Sequence, residues 1–97
     1  MRVISKKILF EKASEHADAK IPLQVWLSTA KEAGWKSLEE IRAVFPATDM
    51  VGPLAIFNIK GNSYRLIAPV VFDARKIYIK EFLTPTEYDK EKWKKWQ

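Results

Sequence analysis

A chain of 97 residues, 47% of them hydrophobic, has material for one compact domain, read here as residues 1–97, and for no more. The absence of cysteine excludes disulfides and thiolate metal sites, and a single histidine argues against a histidine-rich metal centre. The formal net charge of +5 is compatible with a polyanionic partner, but where the charge sits matters more than its sum.

Residues 2–5 read as a short strand. Ser5 then suits a helix N-cap, with Ile4 and Leu9 placed for a hydrophobic staple across it. The first helix is predicted to run to about His16, with Ile8, Leu9, the stem of Lys12 and Ala13 on one stripe. Asp18 is the expected cap of a second helix, and Pro22 falls in its first turn, where no intrahelical donor is lost. Leu23, Trp26, Leu27 and Ala30 repeat at helical spacing, and Gly34 is the expected stop. Ser37 with Glu40 forms a capping box for a short helix carrying Leu38, Ile41, Val44 and Phe45, which Pro46 ends.

Residues 46–53 read as a loop, after which the hydrophobic period changes. Leu54 to Lys60 and Ser63 to Phe72 are strand-like, with Gly61-Asn62 as the turn pair between them. Pro69 within the second run suggests a bulge or an unpaired edge. A turn at 73–76 precedes a third strand over Ile77 to Leu83. Thr84-Pro85-Thr86-Glu87 is a strong helix start, with Thr84 as cap, Pro85 first in the helix and Glu87 completing the box. The lysine-rich tail carries Trp93 and Trp96, three apart and so on one helical face. Their first reading is packing on the domain's own sheet; the second is contact with a partner chain.

Helices packed on one face of a largely antiparallel sheet, with a further C-terminal helix, make an α+β domain. A two-residue turn at Gly61-Asn62 pairs Lys60 with Ser63 and Asn58 with Arg65. The next turn is expected to pair Phe72 with Ile77 and Val70 with Ile79. One face is then Phe57, Ile59, Tyr64, Leu66, Ala68, Val70, Phe72, Ile77 and Ile79, ready to receive the helices. The other carries Lys60, Arg65 and Lys80 with Asn58, Ser63 and Tyr78 among them. Cations interspersed with hydroxyl and amide groups are what a phosphate backbone needs. Tyr78 suits stacking on an unpaired base. The plainer reading is the polar outer side of a half-solvated sheet.

Four segments carry a resemblance. Phe57-Asn58-Ile59-Lys60-Gly61-Asn62 with Tyr64-Arg65-Leu66 is similar to the hairpin of the HigB toxin family. Trp26 with Gly34-Trp35-Lys36-Ser37, Val44-Phe45-Pro46, and Thr84 with Glu87-Tyr88-Asp89-Lys90 resemble three further stretches of that family, in the same order along the chain. The resemblance implies a RelE-like fold with a small antiparallel or mixed sheet. It implies a toxin of a type II toxin–antitoxin pair that cleaves messenger RNA on the ribosome without metal or other cofactor. It also implies a helix-turn-helix, HigA-like antitoxin as partner.

Carried over by position, Arg65 is the first candidate to grip the scissile phosphate, since a guanidinium binds phosphate oxygens in bidentate fashion. Lys60 and Lys80 are candidates for backbone binding or proton transfer, and Tyr88 for proton donation or packing. Asn58, Lys60, Ser63, Arg65, Arg75, Tyr78 and Lys80 form the candidate RNA-binding set. The chain departs from the family pattern at Pro85, where histidine is usual and would suit acid–base work. Catalysis then rests on the lysines, or the chain is a weak or inactive relative that binds without cutting. His16 reads as a surface or capping residue. The N-terminus is too quickly polar for a signal peptide and no apolar run nears the roughly 20 residues that span a bilayer, so a cytoplasmic protein without a membrane partner is expected.

Overall fold

The computed structural model describes residues 1–97. Strand β1 (Arg2–Ile4) leads into helix α1 (Lys7–Glu15), a 3-10 turn at Ala17–Ala19, and helices α2 (Lys20–Glu32) and α3 (Leu38–Val44). Strands β2 (Asp49–Val51), β3 (Leu54–Ile59), β4 (Tyr64–Val71), β5 (Lys76–Tyr78) and β6 (Glu81–Leu83) follow, then helix α4 (Pro85–Asp89) and a second 3-10 turn at Lys92–Trp96. The strand order is β1-β5-β4-β3-β2, with β6 pairing β4 alongside. β1 runs parallel to β5 and all other pairs are antiparallel. The α+β class holds, with a mixed sheet.

Both capping boxes form where the sequence puts them. Ser37 Oγ accepts from the Glu40 N–H at 3.3 Å. Thr84 Oγ1 accepts from the Glu87 N–H at 3.3 Å while the Thr84 N–H donates to Glu87 Oε1 at 2.9 Å, and Pro85 opens α4. Three other helix signals are used differently. Ser5 adopts a left-handed φ of 69° and caps nothing; Lys6 precedes α1 instead. Asp18 lies within the 3-10 turn, and α2 begins after Ala19 with no side-chain cap. α2 ends as Ala33 turns extended (φ −73°, ψ 149°), before Gly34 is reached. Two irregular stretches also differ from expectation. The segment expected to be a loop holds β2, which folds back on β3 around Gly52, whose φ of 59° suits a residue without Cβ. The C-terminal helix is broken at Glu91, at φ 60°, and continues as the 3-10 turn.

Register explains which face each strand residue takes. Asn58 pairs with Arg65 and Ile59 with Tyr64, as the first hairpin predicts. The second hairpin is tighter than expected: Val70, not Phe72, faces Ile77. That slip is two residues, which preserves the side-chain alternation. Phe57, Ile59, Tyr64, Leu66, Ala68, Val70, Ile77 and Ile79 therefore all enter the core beneath Leu23, Trp26 and Ala30 of α2, Leu9 of α1 and Ile41 of α3, with Phe72 packed at its edge.

The expected third strand is interrupted. Val70 opposite Ile77 becomes Leu66 opposite Phe82, a shift of one residue, so a bulge falls at Ile79-Lys80. Ile79 and Phe82 both face the helices, which turns Lys80 and Glu81 together to the other side. Pro69 lies where β4 passes from β6 to β5, so its missing N–H costs no bond to either strand.

The second face of the sheet is not a solvated surface. Leu54, Ile56 and Ile67 are buried there beneath Trp93, with Val51, Leu83 and Tyr88 packed around them. Trp93 takes the packing role expected of it, whereas Trp96 remains 38% exposed.

Candidate functional site

Arg65 sits on β4 beside the first hairpin turn, at the end of the second face that the tail leaves half-open. Its Nη1 donates to the carbonyls of Asn62 at 3.0 Å and Tyr64 at 3.2 Å, and its guanidinium carbon lies 5.7 Å from the centre of the Tyr88 ring. Two carbonyls and an aromatic face thus fix one edge of the fork. Asn58, its cross-strand partner, donates from Nδ2 to Asn62 Oδ1 at 3.1 Å. Beside them runs an open groove of about 260 Å³ lined by Pro46, Ala47, Thr48, Asn58, Gly61 and Asn62, among others.

Tyr88 projects from α4 and stacks on Trp93 with ring centres 5.0 Å apart and planes 4° from parallel. Trp93 Nε1 donates to the Tyr88 carbonyl at 2.9 Å, which pins the tail. Burial pushes the Tyr88 phenol above its ordinary value, and the Asp49 carboxylate adds to this against the opposing pull of Arg65. At neutral pH the phenol is protonated and a weaker acid than a free tyrosine.

The three cations do not share one patch. Lys60 has a left-handed φ of 53° and is carried to the helix side of the sheet. There its Nζ lies 2.8 Å from Asp18 Oδ2, and the Tyr64 hydroxyl donates to Asp18 Oδ1 at 2.5 Å. These two hydrogen bonds, Lys60 first, hold the Asp18 carboxyl below the ordinary carboxylate range. The same contact with Asp18, with burial next, raises the Tyr64 phenol. Lys80 is on the same side as Arg65, but its Nζ rests 4.8 Å from the centre of the Trp96 ring. Arg65 is therefore the one cation of the three facing the hairpin end of the second face. The cause is local: a strand alternation cannot be extended through a turn residue with positive φ or across a bulge.

The remaining candidates divide. Ser63 is exposed in the turn beside Arg65. Tyr78 is half-buried on β5, opposite Ile4 of β1. Arg75 lies in the turn after β4, roughly 20 Å from Arg65 at the strand rise of about 3.4 Å per residue, and stands apart from the site. Pro85 is exposed at the first position of α4.

Sequence reasoning missed two side chains at this end of the sheet. Asp18, read as a helix cap, is the shared acceptor for Lys60 and Tyr64. His16, read as a surface or capping residue, does end α1, but it also packs its ring 5.0 Å from Tyr64 and 6.3 Å from Phe82. No local pattern signals contacts made across 42 and 46 residues of chain.

No three His, Asp or Glu side chains gather as a metal site. No helix is long and apolar enough to cross a membrane. The more enclosed groove between α1 and α2, lined by Leu9, Phe10, Ala13, Leu23, Gln24 and Leu27 among others, holds none of the candidate polar residues.

Helices on one face of a six-stranded mixed sheet, a C-terminal tail across the other and a fixed arginine at the exposed hairpin end define a small α+β domain of the toxin class suggested by the sequence. The chain belongs to the HigB toxin family: the family model described as HigB_toxin, RelE-like toxic component of a toxin–antitoxin system, matches residues 19–91. It is 35% identical over 92 residues to the "mRNA interferase toxin HigB" of Escherichia coli (strain K12), covering 92% of this chain and 88% of that one. The same figures hold for an "mRNA interferase HigB" of Shigella flexneri. Another Escherichia coli "mRNA interferase HigB" is 28% identical over 93 residues, which is 93% of this chain and 90% of that one.

Proposed function

We propose that this protein is a messenger-RNA-cleaving toxin that acts on the ribosome in the cytoplasm, needs no metal, and is neutralised by a helix-turn-helix, HigA-like antitoxin. The observation that carries the reading is the anchored guanidinium of Arg65. Its Nη1 is held by the Asn62 and Tyr64 carbonyls beside a half-open groove, so little rotamer freedom is left to lose on binding a phosphate oxygen. Asn58 and Ser63 flank it for sugar or base contacts. Tyr88 fixes the arginine through its ring and is a packing residue before it is a proton donor. Lys80 and Tyr78 belong to the binding surface along the tail side, and Lys60 contributes its positive charge from the opposite side of the turn.

RNA supplies its own nucleophile, the 2′-hydroxyl, so the protein must hold the phosphate, stabilise its growing charge and manage two protons. The test is a translating extract given the purified chain. Cut messages should accumulate, and an Arg65→Ala chain should leave them intact; equal cutting by that variant would remove Arg65 from the mechanism. A second reading, binding without cutting, draws on the exposed Pro85, which cannot exchange a proton. Association with ribosomes but no cleavage, with cleavage gained on Pro85→His, would favour it.

A further inference from the structure

His16 is the chemically versatile side chain that the site above leaves unused. It ends α1, where its N–H donates to the Lys12 carbonyl at 3.0 Å and its own carbonyl accepts from the Ala19 N–H at 2.9 Å. The backbone at both sides of the ring is thereby fixed. The half-buried imidazole rests against an aromatic floor, because Tyr64 and Phe82 stack with centres 4.9 Å apart and planes 27° from parallel. Tyr64 is held from two directions. Its hydroxyl donates to Asp18, and its carbonyl accepts from the Arg65 guanidinium at 3.2 Å. One residue thus carries the imidazole against its ring and the phosphate-gripping arginine on its backbone.

The charged groups around the imidazole come from four elements: Lys12 and Glu15 of α1, Asp18 of the 3-10 turn, Lys60 and the Tyr64 hydroxyl of the hairpin, and Glu87 of α4. Lys12 is engaged with Glu15 at 3.3 Å, Lys60 with Asp18, and Glu87 with the backbone of Thr84. Of these residues, His16 alone makes no side-chain hydrogen bond. An imidazole is also the one ordinary side chain that changes charge between about pH 5 and 8.

We propose that His16 is the catalytic proton donor of the cleavage reaction, with Asp18 as a positioning residue that fixes the Tyr64 floor beneath it. The inference rests on the reading of the chain as an RNA-cleaving enzyme. The 2′-oxygen attacks phosphorus, a P–O2′ bond forms and the P–O5′ bond breaks. The products are a 2′,3′-cyclic phosphate and a free 5′-hydroxyl. Water takes the proton of the 2′-hydroxyl, and protonated His16 gives its proton to the departing 5′-oxygen. Arg65 holds the phosphate oxygens throughout. Tyr88 is the poorer donor, since burial has made its phenol less acidic.

The test compares single-turnover cleavage by the wild-type chain and His16→Gln on ribosomes programmed with a synthetic message. That message carries either oxygen or bridging sulfur at the 5′ position of the linkage that the wild-type chain cuts. Sulfur leaves without protonation, so it separates a lost donor from a disturbed structure. His16→Gln should lose about 10²-fold or more on the oxygen linkage, within the usual range for an acid–base group. It should lose the pH-dependent limb between about pH 5 and 8 and recover most of its rate on the sulfur linkage. Asp18→Asn should slow the oxygen linkage less and keep the limb. An unchanged rate and profile in His16→Gln, or the same deficit on both linkages, overturns the donor role. Failure of the wild-type chain to cut either message would instead sink the RNA-cleaving reading.

Discussion

The Tyr64 hydroxyl and the Asp18 carboxylate meet at 2.5 Å across 46 residues of sequence, and Lys60 reaches the same carboxylate at 2.8 Å. This pair of contacts ties the first hairpin to the turn between α1 and α2. Its strength depends on Asp18 being ionised. The folded state holds the carboxyl below its ordinary value, through Lys60 first and Tyr64 second. A lowered folded-state value means the contribution is complete above the ordinary carboxylate range, begins to fall near about pH 4, and is gone once pH passes the lowered value. Asp18→Asn should therefore lower stability at neutral pH and flatten the acid limb. Urea unfolding from pH 7 down to pH 3 checks it; parallel acid limbs in the two proteins would remove Asp18 from the account.

Trp93 should carry a large share of the stability of the second face. It is 2% exposed over Leu54, Ile56 and Ile67, and stacks on Tyr88. Trp93→Ala should cost about 3–5 kcal/mol, a substantial part of the roughly 5–15 kcal/mol that holds a domain folded. The drop is read from chemical denaturation by circular dichroism. A loss under about 1 kcal/mol would mean that the tail does not cover the sheet in solution.

The capping box at α4 separates two contributions. Thr84→Ala removes the hydroxyl acceptor and should cost about 1 kcal/mol. Glu87 should stay lowered in that variant, because the backbone N–H of residue 84 is the principal cause of its shift and survives the change. Carboxyl NMR titration reports on this directly; a Glu87 returned to the ordinary range would assign the shift to the hydroxyl.

Arg65→Lys tests geometry against charge. A lysine keeps the positive charge but has no fork to span the Asn62 and Tyr64 carbonyls and a phosphate at once. The loss of a charge-assisted hydrogen bond, about 1.5–3 kcal/mol, corresponds to roughly 10- to 100-fold in cleavage rate. Induced cells should regain most of their growth. Undiminished growth arrest would show that charge alone suffices at this position.

Short-range order determined much of the chain. The alternation of Phe57, Ile59, Leu66, Ala68, Val70, Ile77 and Ile79 assigns the core face of three strands, and survives a register slip because two residues restore the same side. Asn58 opposite Arg65 follows from the turn residues between them, and the caps at Ser37 and Thr84 follow from spacing alone. The tertiary structure decided the rest. It covered the second face with Trp93, bulged the chain at Ile79-Lys80, turned Lys60 to Asp18 and brought His16 to Tyr64. Backbone periodicity acts over a few residues, so it sorts side chains into faces. Which polar group meets which depends on packing between elements more than forty residues apart, where no pattern in the chain records the distance.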